Sequence, residues 1–217
     1  MGQGRRAIIW TLAGLGSIGT GGVAGTAVGS PAASQPVPVF ARTVVLAPLS
    51  GKVLIALPGA PTRFVQLTSR RRVPVGTVVN ATAGRVGLTS ANPGPYSMQT
   101  GQFFRGIFRI EQRRADNGLV NLVLRDNLPR TVCGPSPAHA AALSRRILGL
   151  LRGTAKGRFR TTGRFASATV RGTNWGVRDR CDGTLTVVRE GVVVVRDFRL
   201  KKNVVVRAGH TYLARAG

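Results

Sequence analysis

The two cysteines are the residues whose chemistry this sequence predicts most directly. Cys133 and Cys181 are the only cysteines in the 217 residues, and the loop between them holds 47 residues (181 − 133 − 1). An even cysteine count in an exported chain favours a disulfide. The alternative is a metal site that adds His139 and His210. Zinc sites usually have closely spaced ligand pairs, whereas Cys133 and His139 are six residues apart. We therefore predict a disulfide, with no metal site and no cofactor.

Residues suited to catalysis are sparse. The chain has seven acidic residues, and four of them lie in one arginine-rich region: Asp179, Asp182, Glu190 and Asp197. The sequence Asp-Gly at Asp182 is typical of a tight turn, and the other three lie among arginines that would pair with them. No serine occupies a G-x-S-x-G turn. The sequence therefore predicts a protein that is not an enzyme, with a hydrolase as the least favoured alternative.

Basic residues outnumber acidic ones by 32 to 7, which gives a formal net charge of +25. Such a surface attracts polyanions, whether nucleic acid, anionic lipid or an anionic wall polymer. Only four of the basic residues are lysines, and this excess of arginine is equally typical of a GC-rich genome. The best candidates for polyanion contact alternate with apolar residues in one stretch: Arg158, Arg160, Arg164, Arg171 and Arg178.

These candidates lie in the stretch from Lys156 to Asp197, which has the most regular strand pattern in the chain. Phe159 and Trp175 alternate with polar residues, which predicts half-buried strands with the aromatic face inward and the arginines in water. Stacking on nucleic acid bases needs aromatics and arginines on the same face, so we predict no specific nucleic acid binding. Asp182-Gly183 predicts a hairpin. The run Val192–Val195 predicts a strand buried on both faces, or on one face plus an interface.

Three segments of this stretch resemble the FecR domain family: Val170–Trp175, Asp182–Val187 and Glu190–Val194. Seven residues carry the motif: Val170, Arg171, Gly172, Thr173, Trp175, Gly183 and Gly191. The resemblance implies an exported, β-rich, non-enzymatic domain that binds or relays. FecR regulators also carry a cytoplasmic anti-sigma segment before one membrane span, whereas only six residues precede the apolar segment of this chain.

Residues 1–33 have the layout of a secretory signal peptide. Arg5 and Arg6 precede an apolar stretch that runs to about Val28, followed by small residues. The alternative is an uncleaved anchor, but the many glycines would weaken such a helix. Residues 34–42, with two prolines, form a predicted linker. We expect a secreted or envelope-associated chain with no stable membrane span after cleavage.

Residues 43–217 are predicted to form a mainly β domain, a twisted sandwich or short β-roll of ten or more strands with one covering helix. Ser136 would cap the helix and Pro137 would begin it, and Gly153 could end it. The helical spacing is that of Leu143, Ile147, Leu150 and Leu151. Phe103–Gln112 is predicted as one strand. An alternative arrangement has two lobes, 43–126 and 154–217, joined by a loop and helix at 127–153.

The function expected from these patterns is that of an exported, non-enzymatic, FecR-like binding module of the cell envelope. Its partner would be an anionic polymer or a protein. A regulatory module that relays a signal to a separate membrane protein is the alternative. The sequence predicts neither the identity of the partner nor the oligomeric state.

Overall fold

The computed structural model describes residues 35–126, 128, 130–134 and 145–216. In this part of the chain thirteen strands join in one sheet, which confirms the mainly β prediction. The predicted signal peptide lies outside the described residues. The strands are β1 (Thr43–Ala56), β2 (Val65–Gln66), β3 (Arg71–Pro74), β4 (Val78–Ala91), β5 (Met98–Phe104), β6 (Ile107–Gln112), β7 (Val120–Arg125), β8 (Ile147–Thr162), β9 (Ala166–Arg180), β10 (Gly183–Glu190), β11 (Val192–Asp197), β12 (Lys202–Arg207) and β13 (Thr211–Arg215).

Five of these strands close into a barrel. Their order around it is β4, β5, β8, β7, β6 and back to β4, and the pair β7–β8 is parallel while the other four pairs are antiparallel. The remaining strands extend the sheet from two long members of the barrel. On one side β1 pairs with β4, and both β2 and β3 pair with β1. On the other side β9 pairs with β8, and both β10 and β11 pair with β9. β13 then pairs with β10, and β12 with β11.

Aromatic side chains fill the barrel at one point. The ring of Phe103 lies 5.8 Å from that of Phe108, 5.5 Å from Phe159 and 6.1 Å from Trp175, measured between centroids. All four are at most 2% exposed, so the inward orientation predicted for Phe159 and Trp175 is confirmed. A Cβ on Gly153 would stand 2.8 Å from Phe103, closer than side chains approach. This glycine therefore makes room for the central ring.

The predicted helix is wrong where the structure describes it. Ile147–Leu151 opens strand β8, and residues 135–144 lie outside the described residues. From Leu150 onward burial alternates along β8 with period two. Apolar residues at 147, 148, 150 and 151 suit either periodicity in so short a segment, and pairing with β9 decides for the strand. In the described residues the helical structure consists of two 3-10 segments, Arg114–Asp116 and Arg130–Cys133.

Strand β9 bends at Gly172, and this bend separates two outward surfaces. Gly172 has a φ of +68°, and the register with β8 shifts between Ala155 and Arg158. Before the bend β9 pairs with β11, and after it with β10. The two halves of β8 and β9 thus have different neighbours.

Candidate functional site

Strands β8, β9, β11 and β12 present an arginine-rich face to solvent. Three rows of side chains cross this face, and each row consists of residues that are paired in register across the four strands. The rows are Arg158, Arg171, Val192 and Arg207; Arg160, Thr169, Val194 and Val205; and Thr162, Ser167, Arg196 and Asn203. Val192 joins the first row because it precedes Val193, the partner of Val170. None of these positions is acidic. We call this set of residues the arginine face.

A groove of about 960 Å³ lies on the arginine face. Arg160, Arg171 and Arg196 line it together with the small hydroxyl side chains of Ser167 and Thr169. With neighbouring strands about 4.8 Å apart and alternate residues about 7 Å apart, the arginines lie within roughly 15 Å of one another. Such spacing suits several anionic groups of one extended ligand better than a single small ion.

The valines of β11 form the apolar part of the groove. Val192 is 42% and Val194 is 39% exposed, while Val193 and Val195 are fully buried. Of the two alternatives predicted for this run, burial on both faces is therefore wrong; one face is buried, and the other is exposed in this chain. The exposed valines lie between Arg171 and Arg196, so the groove combines cationic and apolar surface.

Three of the five predicted contact arginines lie on the arginine face. Arg158 donates to the carbonyl of Asn117, and Arg160 donates through Nε to Thr169 Oγ1 at 3.2 Å. Arg171 is exposed at the bend of β9. Arg164 and Arg178 lie elsewhere, the first beside the ring of Phe165. The prediction thus gathers residues from more than one surface.

The sequence reasoning missed Arg196 and Arg207, which complete the arginine face. Arg196 follows the valine run in β11, and Arg207 ends β12. The period-two alternation that singled out Arg158 also applies to β11, where Val193, Val195 and Asp197 are buried. The continuous valines concealed this signal, since an unbroken apolar run suggests burial on both faces.

Two of the carboxylates considered for catalysis are buried and form hydrogen bonds with neighbouring turns. Asp179 is 1% exposed and accepts hydrogen bonds from the Arg164 amide (3.0 and 3.1 Å) and the Thr184 hydroxyl (2.5 Å). Burial raises the pKa of Asp179 above its ordinary value, against the opposing effect of these hydrogen bonds. Both oxygens of this side chain hold the turn that joins β8 to β9.

Asp197 is likewise 1% exposed. Burial alone would raise the pKa of Asp197, but hydrogen bonds from the Leu200 amide (2.8 Å) and the Tyr212 hydroxyl (2.9 Å) outweigh it and lower the pKa. Tyr212 has a raised pKa because of its own burial and because it donates to this carboxylate. The carboxylate therefore ties the β11–β12 turn to β13.

The resemblance residues mostly shape the backbone and core. Gly172 forms the bend, and Gly191, with a φ of +76°, forms the β10–β11 turn, where a Cβ would stand 2.7 Å from Thr173. Trp175 Nε1 donates to Thr161 at 3.2 Å within the core. Val170 and Thr173 are buried, and Gly183 opens β10 directly opposite Arg180, so the predicted hairpin is confirmed. Val170, Arg171, Gly172 and Gly191 line the groove, and Arg171 is the charged residue among them.

Cys133 and Cys181 form a disulfide, as predicted, with their Cα atoms 5.4 Å apart. It joins the 3-10 segment Arg130–Cys133 to the β9–β10 turn. Because the two sulfurs are bonded to each other, neither is a free thiolate for the alternative metal site. Among the described residues no three His, Cys, Asp or Glu side chains are grouped to bind a metal. A disulfide is compatible with an extracellular protein. Of the helical segments that the structure describes, none could span a membrane.

These features define a basic, disulfide-linked, mainly β protein with a cationic groove. No protein family model matches the chain, and comparisons with curated proteins and with solved structures found no similar protein.

Proposed function

We propose that this protein is an exported, non-enzymatic binding module whose arginine face binds an extended anionic polymer of the cell envelope. The observation that carries the proposal is the grouping of Arg160, Arg171 and Arg196 around one groove without an acidic residue among its rows. The FecR-like character and the signal peptide belong to the same proposal, and the disulfide supports export.

Charge and shape both support a polymer as the ligand. Arginine presents a planar fork of donors that matches phosphate, sulfate and carboxylate groups, and its charge persists at any physiological pH. Each anionic group that contacts an arginine releases condensed counterions, which makes binding to a polyanion strongly salt-dependent. The exposed Val192 and Val194 add apolar surface for the backbone of the polymer.

The test is the salt dependence of retention on a heparin or wall-polymer resin. The variant replaces Arg160, Arg171 and Arg196 together with glutamine. Each lost contact should lower the slope of log affinity against log salt by about 0.7–0.9, so the triple variant should lose roughly 2 to 3 units.

The matched control removes three exposed arginines elsewhere, Arg42, Arg63 and Arg113, with the same change in net charge. It should keep almost the whole slope of the unmodified protein. Equal losses in both triple variants would show that net charge alone drives retention. Salt-independent retention, or none, would also contradict the proposal.

Export is tested separately by mass spectrometry of the secreted chain without reduction. The expected mass lacks roughly the first 30 residues and carries the disulfide. Full-length chain in the cytosol with both thiols reduced would contradict export without bearing on the arginine face.

A further inference from the structure

We propose that Arg105, Arg152, Arg178 and Arg189 form a second, separate binding site for one compact tetrahedral dianion, phosphate or sulfate. These arginines lie beyond the bend of β9, where β9 pairs with β10. Arg152 and Arg160 are eight residues apart on β8, which corresponds to about 26 Å along an extended strand. The site is therefore distinct from the groove on the arginine face.

Strand register brings three of these side chains around one glycine. Arg152 on β8 pairs with Gly176 on β9, and Gly176 pairs with Val187 on β10. Arg178 lies two residues beyond Gly176 on β9, so it points to the same side of the sheet. Arg189 lies at a register shift near the end of β10 and lines the same depression as Arg152 and Arg178. Because Gly176 has no side chain, the three arginines surround a small depression.

The size of this depression suits a small group. It encloses about 10 Å³, against about 960 Å³ for the groove on the arginine face. That is room for one oxygen atom of a ligand whose other oxygens face the surrounding guanidinium groups. Arg105 completes the set from the turn between β5 and β6, next to Phe104, which pairs with Arg152.

These arginines repel one another in the folded protein. Burial lowers the pKa of Arg152, and the charges of Arg189, Arg105 and Arg178 lower it further, in that order. Four of the seven carboxylates have partners elsewhere. Glu111 is bound by Arg109 and Asn121, Asp182 by Arg180, and Asp179 and Asp197 by the hydrogen bonds described above. A dianion between the arginines would relieve this repulsion and accept charge-assisted hydrogen bonds from several of them.

The experiment is a calorimetric titration of the whole protein with inorganic phosphate, in chloride buffer of matched ionic strength. We expect one saturable site. Arg152→Gln should weaken phosphate binding by about tenfold or more, since a charge-assisted donor is lost. Arg171→Gln, which removes a charge from the arginine face, should leave phosphate affinity within about twofold. Equal affinity in the unmodified protein and Arg152→Gln, or the absence of a saturable site, would overturn the proposal.

A second readout separates an anion site from a structural role of Arg152. In phosphate-free buffer of low ionic strength, Arg152→Gln should unfold at a higher temperature than the unmodified protein, because repulsion is relieved. Millimolar phosphate should raise the midpoint of the unmodified protein more than that of the variant. A lower midpoint of the variant without phosphate, with an equal phosphate increment in both, would overturn the proposal.

A parallel titration with glycerol 2-phosphate identifies the source of the dianion. Binding of both compounds indicates the phosphate group of a larger molecule, and binding of inorganic phosphate alone indicates the free ion. Retention of Arg152→Gln on the polymer resin tests the arginine face independently, so either proposal can fail without the other.

Discussion

Loss of the disulfide should lower the stability of this protein by about 4 kcal/mol. Cys133 and Cys181 are 48 residues apart in sequence. In the chain-entropy model, cross-linking over a loop of this length removes about 14 cal/mol/K from the unfolded ensemble, or about 4 kcal/mol at 25 °C. The size of the effect depends on loop length, because the cross-link acts mainly on the unfolded chain.

The assay is guanidinium chloride unfolding of the unmodified protein and of the double variant Cys133→Ser/Cys181→Ser. Fluorescence reports it, because Trp175 is 2% exposed in the folded state and becomes solvated on unfolding. With a denaturant slope of about 4 kcal/mol/M, the midpoint should fall by about 1 M. The slope itself should rise, since an unlinked unfolded chain exposes more surface.

Reduction of the unmodified protein is the control and should reproduce the midpoint of the double variant. A reductant should leave the double variant unchanged. If the double variant loses less than about 1 kcal/mol at an unchanged slope, the loop-entropy reasoning is refuted for this protein.

Three further changes test the packing and the buried carboxylates. Gly153→Ala should lower the free energy of unfolding by about 1–3 kcal/mol, because its Cβ would meet Phe103 at 2.8 Å; an unfolding midpoint equal to that of the unmodified protein would contradict this. Asp179 has a raised pKa, so this carboxyl group binds a proton more tightly in the folded protein than in the unfolded chain. The protein therefore loses stability as the pH rises from about 4 through the pKa of the folded state. Asp179→Asn should abolish this loss in pH-dependent unfolding, and a parallel pH profile would argue against it. Asp197 has a lowered pKa, so its contribution is present above about pH 4 and is lost as the pH falls through the folded pKa. Asp197→Asn should therefore cost about 1–3 kcal/mol near neutral pH and less in acid, with Tyr212→Phe as a milder variant; a cost independent of pH would contradict the reasoning.

Several features follow from local sequence and were predictable. Alternation around Phe159 and Trp175 indicates which side chains point inward, because successive residues of a strand face opposite sides. The Asp182-Gly183 sequence indicates the hairpin, although its two turn residues are Cys181 and Asp182, one place earlier. The cysteine pair follows from count and context.

Other features needed the partners that only folding supplies. Phe103–Gln112 was predicted as one strand, yet the chain turns at Arg105 and Gly106. A Cβ on Gly106 would stand 1.9 Å from the Leu150 carbonyl oxygen, so this glycine is required by a strand more than 40 residues away. No local pattern contains that contact.

The amino-acid sequence by itself determined the mainly β character, the disulfide, the basic composition and the inward orientation of Phe159 and Trp175. The strand features depend on side-chain polarity and on the two-residue period of the strand, and the disulfide depends on the cysteine count. The tertiary structure alone decided the closure of the barrel and the grouping of the arginines. β5 and β7 both pair with β8, across intervening segments of the chain, and Arg160 lies near Arg196 only because β9 lies between their strands. Which strands become neighbours depends on the packing of the whole core, so the pairing cannot be read from any short stretch of sequence.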